Sequence, residues 1–231
     1  MNSLRKTFDL SFYFVVGPVN TKGRDFGDVV RQAVKGGITF LQVRSKVSEG
    51  RELMALGRIA AGEISKAGKQ DKIALVIDDR VDVARALMLE GVKVDGVHLG
   101  QSDIPVEAAR QILGEDAIIG LSARSRDLFD YLKKFKTGIV DYFGAGPLRP
   151  SQTKPNCGMV DGVVLTRSFD EIRKLKSLSP LPVVIGGSVK AKDLPALKAT
   201  GVDGFFVVSA VSEANNPFEA AKELSEIWNK S

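Results

Sequence analysis

Eight short apolar runs alternate along the chain with longer stretches in which apolar residues recur every three or four positions. The runs are FYFVVG (12–17), FLQVRSK (40–46), ALVIDDR (74–80), DGVHLGQSD (95–103), IIGLSARS (118–125), DYFGAGPLRPSQTK (141–154), PVVIGGS (182–188) and GFFVVSA (204–210). Their apolar parts are rich in Val, Ile, Leu and Phe and nearly unbroken, as parallel strands covered on both faces require. Between the first two, DFGDVVRQAVKGG (25–37) places Phe26, Val29, Val30, Ala33 and Val34 on one helical face, with Gly36-Gly37 as a stop. GRELMALGRIAAGEISKAG (50–68) repeats the scheme through Leu53, Leu56, Ile59, Ala60 and Ile64. The same spacing predicts helices over 80–91, 106–114, 128–135, 168–178, 191–201 and 218–230. Strict βα alternation gives a parallel sheet, and eight units predict closure into a single-domain (β/α)8 TIM barrel over residues 1–231, with its core at about 12–227. An open doubly wound sheet would carry a Gly-rich nucleotide turn after its first strand, and GPVNTKG is not G-x-G-x-x-G. The longest irregular stretch, roughly 144–165, carries polar residues suited to a functional loop.

Composition narrows the class. The 231 residues, 44% hydrophobic and 26% charged, suit one globular barrel domain. No apolar run approaches a membrane span. In MNSLRKTFDLSFYFVV, Asp9 interrupts the apolar part, so this segment reads as a lead-in to the first strand rather than a signal peptide. Cys157 is the only cysteine, which excludes an intrachain disulfide and makes the cytoplasm the expected compartment. The net charge of +5 is spread over helical segments and mixed with carboxylates. No basic run with interleaved aromatics appears, so a nucleic-acid partner is not expected. The expected partners are small phosphorylated molecules, with no membrane; a homo-oligomer is left open.

In a barrel, the C-terminal strand ends converge on one pocket, and most runs here end in chemistry. Asp79 and Asp103 follow the third and fourth strands. Neighbouring strands lie about 4.8 Å apart, so two carboxylates there can face one hard cation. Mg²⁺ takes one or two protein carboxylates and fills its other positions with water and substrate phosphate. The competing reading makes both aspartates helix N-caps. Arg44 and Lys46, two residues apart after the second strand, share a face with Gln42. A guanidinium fork and an ammonium suit a phosphate better than a surface ion pair. The loop GAGPLRPSQTKP (144–155) offers Ser151, Thr153 and Lys154. Gly186-Gly187 and Val208-Ser209 end the last two strands, where barrel backbones commonly hold a phosphate. His98, the only histidine, reads as a packed, hydrogen-bonded strand residue. Ser122 has no histidine near it in sequence, so no nucleophilic triad is expected.

The ordered series QVRSK, DDR, HLGQSD, GLSARS, GAGPLRPSQTK, IGGS and VVSA resembles the thiamine-phosphate synthase family from about residue 12 to 227. The resemblance implies an Mg²⁺-assisted transferase. It would join 4-amino-5-hydroxymethyl-2-methylpyrimidine diphosphate to a thiazole phosphate, giving thiamine phosphate and pyrophosphate. It implies that the pyrimidine diphosphate is held by Gln42, Val43, Arg44, Ser45 and Lys46, with Asp78, Ser122 and Lys154. Arg44, Lys46, Ser122 and Lys154 would be the catalytic set, and Asp79 and Asp103 the Mg²⁺ ligands. Ser151, Gln152, Thr153, Gly187, Val208 and Ser209 would line the thiazole phosphate site.

Three positions depart from the family pattern: Asp78 stands where Asn is usual, Arg149 where an aromatic or aliphatic residue is common, and Arg124 where many members have histidine. Two alternatives follow. A thiazole tautomerase would need a histidine at 124 as its acid/base group. A non-catalytic barrel would bind thiamine precursors without turning them over.

Overall fold

The computed structural model describes residues 3–123, 138–150, 159–160 and 163–231. Strands β1 (Phe12–Val16), β2 (Phe40–Val43), β3 (Ala74–Asp78), β4 (Gly96–Leu99), β5 (Ile118–Ala123) and β6 (Tyr142–Ala145) follow one another in the first two-thirds of the chain. A two-residue antiparallel pair, β7 (Met159–Val160) with β8 (Val163–Val164), comes next. This pair lies in the stretch expected to be irregular. Strands β9 (Val183–Ile185) and β10 (Gly204–Val207) complete the set. The eight longer strands form a closed, all-parallel barrel in the order β1-β10-β9-β6-β5-β4-β3-β2.

Around it lie α1 (Phe26–Gly36), α2 (Gly50–Lys66), α3 (Val81–Leu89), α4 (Val106–Leu113), α5 (Phe169–Leu178), α6 (Leu194–Lys198), α7 (Ser209–Ser212) and α8 (Pro217–Lys230). The start of α1 is fixed by the Asp25 side chain, which accepts from the Asp28 N–H at 2.7 Å. Its stop is Gly37, in the left-handed region at φ 102°. The predicted helix at 191–201 divides into a 3₁₀ turn, Ala191–Asp193, and the short α6. The helix predicted over 128–135 lies outside the described residues.

The apolar residues form two layers. Alternate strand residues such as Leu41, Leu75, Val97, Ile119 and Phe143 pack under the helices. Their neighbours Tyr13, Phe40, Val76, Ile118, Tyr142 and Val184 fill the barrel interior together with Leu4 and Leu10. The chain before β1 is therefore part of the core, which begins earlier than residue 12. Phe8 sets its ring 5.9 Å from Phe40 and 6.0 Å from Tyr142. Gly120 makes room for Tyr142, because a Cβ there would stand 2.1 Å from Tyr142 Cζ.

A carboxylate motif ties the N-terminal ends of the strands. Asp95, Asp141 and Asp203 each come one residue before a strand, in the sequences VDG, VDY and VDG. Each accepts a backbone N–H from the neighbouring strand: Leu75 at 2.6 Å, Ile119 at 2.8 Å and Val183 at 2.7 Å. Each also holds a cation: Lys93, Arg110 and Lys176 respectively. These contacts lie at the end of the barrel away from the pocket, where they serve stability.

Candidate active site

Strand register decides which side chains enter the pocket. Asp78 lies opposite His98, His98 opposite Gly120, and Ser122 opposite Gly144. Gln42, Asp78, His98 and Ser122 all share the inward parity and line a cavity at the C-terminal strand ends. Arg44, Tyr13, Gly187, Val208 and Ser209 line it too. The intervening residues of the Gln42–Lys46 run behave differently. Val43 belongs to the helix-facing core. Ser45 Oγ donates to Ser48 Oγ at 2.8 Å and accepts from Ser48 N at 3.1 Å, closing a local turn. Any contact from Val43 to a ligand would have to come from its main chain.

Cations and carboxylates meet at the rim. Arg44 Nε lies 3.2 Å from the buried Asp78 carboxylate, and Lys46 Nζ lies 3.5 Å from it. Lys46 also pairs closely with Asp79. The Lys46 side chain is 52% exposed, and an ion pair that open is worth about 0–1 kcal/mol, so an incoming anion or cation can displace it at little cost. Asp79 itself sits just past β3 with φ 59°, its N–H donating to the His98 carbonyl at 2.9 Å. That strained conformation is one that functional sites often retain.

Neither aspartate caps a helix. The N-cap positions of α3 and α4 are Arg80 and Pro105. Asp103 instead accepts from the Gly100 N–H at 2.6 Å through one oxygen. Among the described residues no group of three His, Cys, Asp or Glu side chains could hold a metal. Asp79 and Asp103 follow neighbouring strands, and two hard oxygen donors are the kind of protein ligand that Mg²⁺ takes, with its remaining ligands from water and substrate.

Beneath the rim, polar side chains form a chain across the barrel. Gln42 Nε2 donates to Asp78, and Gln42 Oε1 accepts from the Tyr13 hydroxyl at 2.8 Å. The Tyr13 and Tyr142 hydroxyls are 2.9 Å apart. Tyr142 Oη meets His98 Nδ1 at 3.0 Å, and His98 Nε2 meets Ser122 Oγ at 3.1 Å. Burial pushes both phenols up, Tyr13 well above the ordinary tyrosine range, with the neighbouring Tyr142 adding to it. His98 is thus the packed, hydrogen-bonded residue the sequence suggested. Tyr13 and Tyr142 escaped notice there, although the alternation of β1 and β6 marks both as inward-facing polar residues.

On the opposite wall, Gly187 has φ 91°, and a Cβ there would stand 2.3 Å from Pro147 Cβ. Only glycine lets the two loops approach so closely. Arg149 secures that approach. Its guanidinium donates to both Asp193 oxygens, at 2.6 and 2.7 Å, and its backbone N–H donates to the Gly187 carbonyl at 3.0 Å. The Arg149 hydrogen bond holds the Asp193 carboxyl below the usual range. A depressed carboxylate pKa contributes stability above the unfolded value, about 3.9, and that contribution is lost as pH falls through the folded value. Arg149→Ala should therefore cost about 1–2 kcal/mol at neutral pH. In unfolding curves from neutral pH downward, its deficit against the parent should shrink below about pH 4. A pH-independent deficit would disprove the coupling. Ser151, Gln152, Thr153, Lys154, Cys157 and Arg124 lie outside the described residues.

The closed parallel barrel, with cations and carboxylates gathered at its C-terminal face, defines an enzyme-class (β/α)8 barrel suited to phosphorylated ligands. The family described as thiamine monophosphate synthase (TMP-TENI) matches residues 12–211, and the chain belongs to it. Thiamine-phosphate synthase of Corynebacterium efficiens is 41% identical over 221 residues, covering 96% of each chain. Its counterpart from Azorhizobium caulinodans is 40% identical over 220 residues, covering 95% of each. Among solved structures, thiamine phosphate pyrophosphorylase from Pyrococcus furiosus superposes with a TM-score of 0.78 at 30% identity, covering 98% of both chains.

Proposed function

We propose that this barrel is a thiamine-phosphate synthase, a transferase that joins 4-amino-5-hydroxymethyl-2-methylpyrimidine diphosphate to a thiazole phosphate. The observation that carries the reading is the pairing of Arg44 and Lys46 with Asp78 and Asp79 at the cavity mouth, in a chain of this family. The bond between the pyrimidine methylene carbon and the diphosphate oxygen breaks, and its electron pair leaves with pyrophosphate. The thiazole nitrogen then supplies a lone pair to that carbon. No protein nucleophile is needed, and positive charge at the departing group is.

Arg44 would receive the diphosphate in a fork, with Lys46 adding a point charge nearer solvent. Mg²⁺, held by Asp79 and Asp103, would add charge stabilisation on the leaving group. Gly187, Val208 and Ser209 offer backbone N–H groups for the second phosphate, to be completed by Ser151, Gln152 and Thr153. Lys154 would join the diphosphate contacts.

A tautomerase needs an accessible acid/base group. Both ring nitrogens of His98 are engaged, by Tyr142 and Ser122, which favours the synthase over that alternative. Among the described residues no helix is long and apolar enough to cross a membrane. We assign the protein to the cytoplasm, acting on small phosphorylated molecules.

Purified protein given both substrates should release pyrophosphate only with Mg²⁺, matched by an equal amount of thiamine phosphate. Binding of either substrate without release would replace the enzyme with a non-catalytic barrel. Release unaffected by chelation would remove the metal from the scheme.

A further inference from the structure

We infer that Asp78 is a positioning residue that sets the direction of the whole buried hydrogen-bond chain, fixing His98 as its Nδ1–H tautomer and Ser122 as a hydrogen acceptor toward the pocket. The inference comes from counting hydrogens. The chain beyond Gln42 has four contacts: Gln42–Tyr13, Tyr13–Tyr142, Tyr142–His98 and His98–Ser122. With His98 neutral, its imidazole and the three hydroxyls supply one hydrogen each, one for each of these four contacts. The raised phenol pKa values keep both tyrosine hydrogens in place.

Direction is imposed at the carboxylate end. As a carboxylate, the form that Arg44 and Lys46 beside it favour, Asp78 can only accept there. Gln42 must therefore turn its Nε2 toward Asp78, since the flipped amide would set two acceptors against each other. Gln42 Oε1 then takes the Tyr13 hydrogen. The 2.9 Å contact between the tyrosines must be bridged by the Tyr142 hydrogen. Tyr142 has none left for His98, so Nδ1 carries the proton. Nε2 is bare, and the Ser122 hydrogen is committed to it.

Reversal would require a donor at position 78, and Asp78→Asn provides one. Once the substituted amide donates to Gln42 Oε1, every link can invert, leaving His98 with Nε2–H and freeing the Ser122 hydrogen for the pocket. One side chain at the rim thus decides what Ser122 offers a ligand. In the parent chain, the ligand group facing Ser122 has to be an N–H or O–H donor rather than a bare phosphate oxygen. This consequence rests on the proposed synthase site, and it moves Ser122 from the diphosphate to the donor-bearing part of the substrate. The direction of the chain itself does not depend on that reading.

Because His98 is the only histidine, its ring nitrogens can be observed without ambiguity. Two-bond ¹H–¹⁵N correlation spectra of ¹⁵N-imidazole-labelled, ligand-free protein at neutral pH should show Nδ1 protonated and Nε2 bare. Asp78→Asn should shift both nitrogens toward averaged values as the Nε2–H form becomes populated. Tyr13→Phe, which cuts the chain between Asp78 and His98, should do the same, and it serves if the first variant fails to fold. A parent spectrum showing Nε2–H, or an imidazolium, would overturn the inference. So would a parent Nδ1–H pattern that neither folded variant changes. Loss of the synthase reading would appear only in the pyrophosphate assay and leave these spectra as they are.

Discussion

Arg44→Ala should lower turnover by about 10²-fold or more, the usual loss when one group stabilising developing negative charge is removed. The guanidinium lines the cavity and its side chain is only 19% exposed, so its charge acts through less water than that of Lys46. Arg44→Lys should recover little, because an ammonium cannot reproduce a planar fork. The substitution also takes one cation from the buried Asp78, and breaking such a pair destabilises the fold. The two effects can be separated. In Arg44→Ala/Asp78→Asn the stability loss should be reduced while turnover stays low. Steady-state pyrophosphate release with thermal unfolding of the same samples reads both. Turnover near the parent value in folded Arg44→Ala would remove Arg44 from the catalytic set.

The same pair shows why Asp78 was hard to interpret in one dimension. As a departure from the usual Asn, it looked like either an extra metal ligand or a charge repelling the diphosphate. In the fold it is buried and engaged by Gln42, Arg44 and Lys46, so its charge is balanced within the protein. The barrel was legible because each βα unit repeats one local rule, and an unbroken apolar run differs plainly from a 3.6-residue pattern. Strand parity put Gln42 and Arg44 on the cavity face without knowledge of the closure, whereas Ser122 came only from the family resemblance. What parity could not give was which strands become neighbours. His98 looked inert and Tyr142 unremarkable because their partnership, 44 residues apart, exists only once β4, β5 and β6 are side by side. Arg149 was hidden for the same reason: its partner Asp193 belongs to a different βα unit. The core contribution of Leu4 and Leu10 was missed because two apolar residues without periodicity resemble a solvated leader.

At the other end of the barrel, Arg110→Ala should be the most destabilising of the charge removals discussed, by about 3 kcal/mol out of a total that is typically 5–15 kcal/mol. Arg110 is 6% exposed. It donates to the carbonyls of Ala117 at 2.6 Å, Gly114 at 2.9 Å and Ile139 at 2.8 Å, and to the Asp141 carboxylate at 2.8 Å. Truncation leaves those carbonyls without this donor and takes a counter-charge from a carboxylate that also accepts from the Ile119 N–H. Arg5 remains, with Nε 2.8 Å from Asp141, and limits the damage. For the same reason the losses from Arg5→Ala and Arg110→Ala should not add, because both cations serve one carboxylate. The double variant would leave Asp141 with neither guanidinium and should lose more than the sum of the single changes. Denaturant unfolding should show the loss as a lower midpoint at unchanged slope. Turnover per folded molecule should stay at the parent level, because these contacts lie at the opposite end of the strands from Arg44 and Ser122. Strict additivity of the two losses would mean that Arg5 and Arg110 act separately, and that Asp141 is not the hub joining the N-terminal segment to β5 and β6.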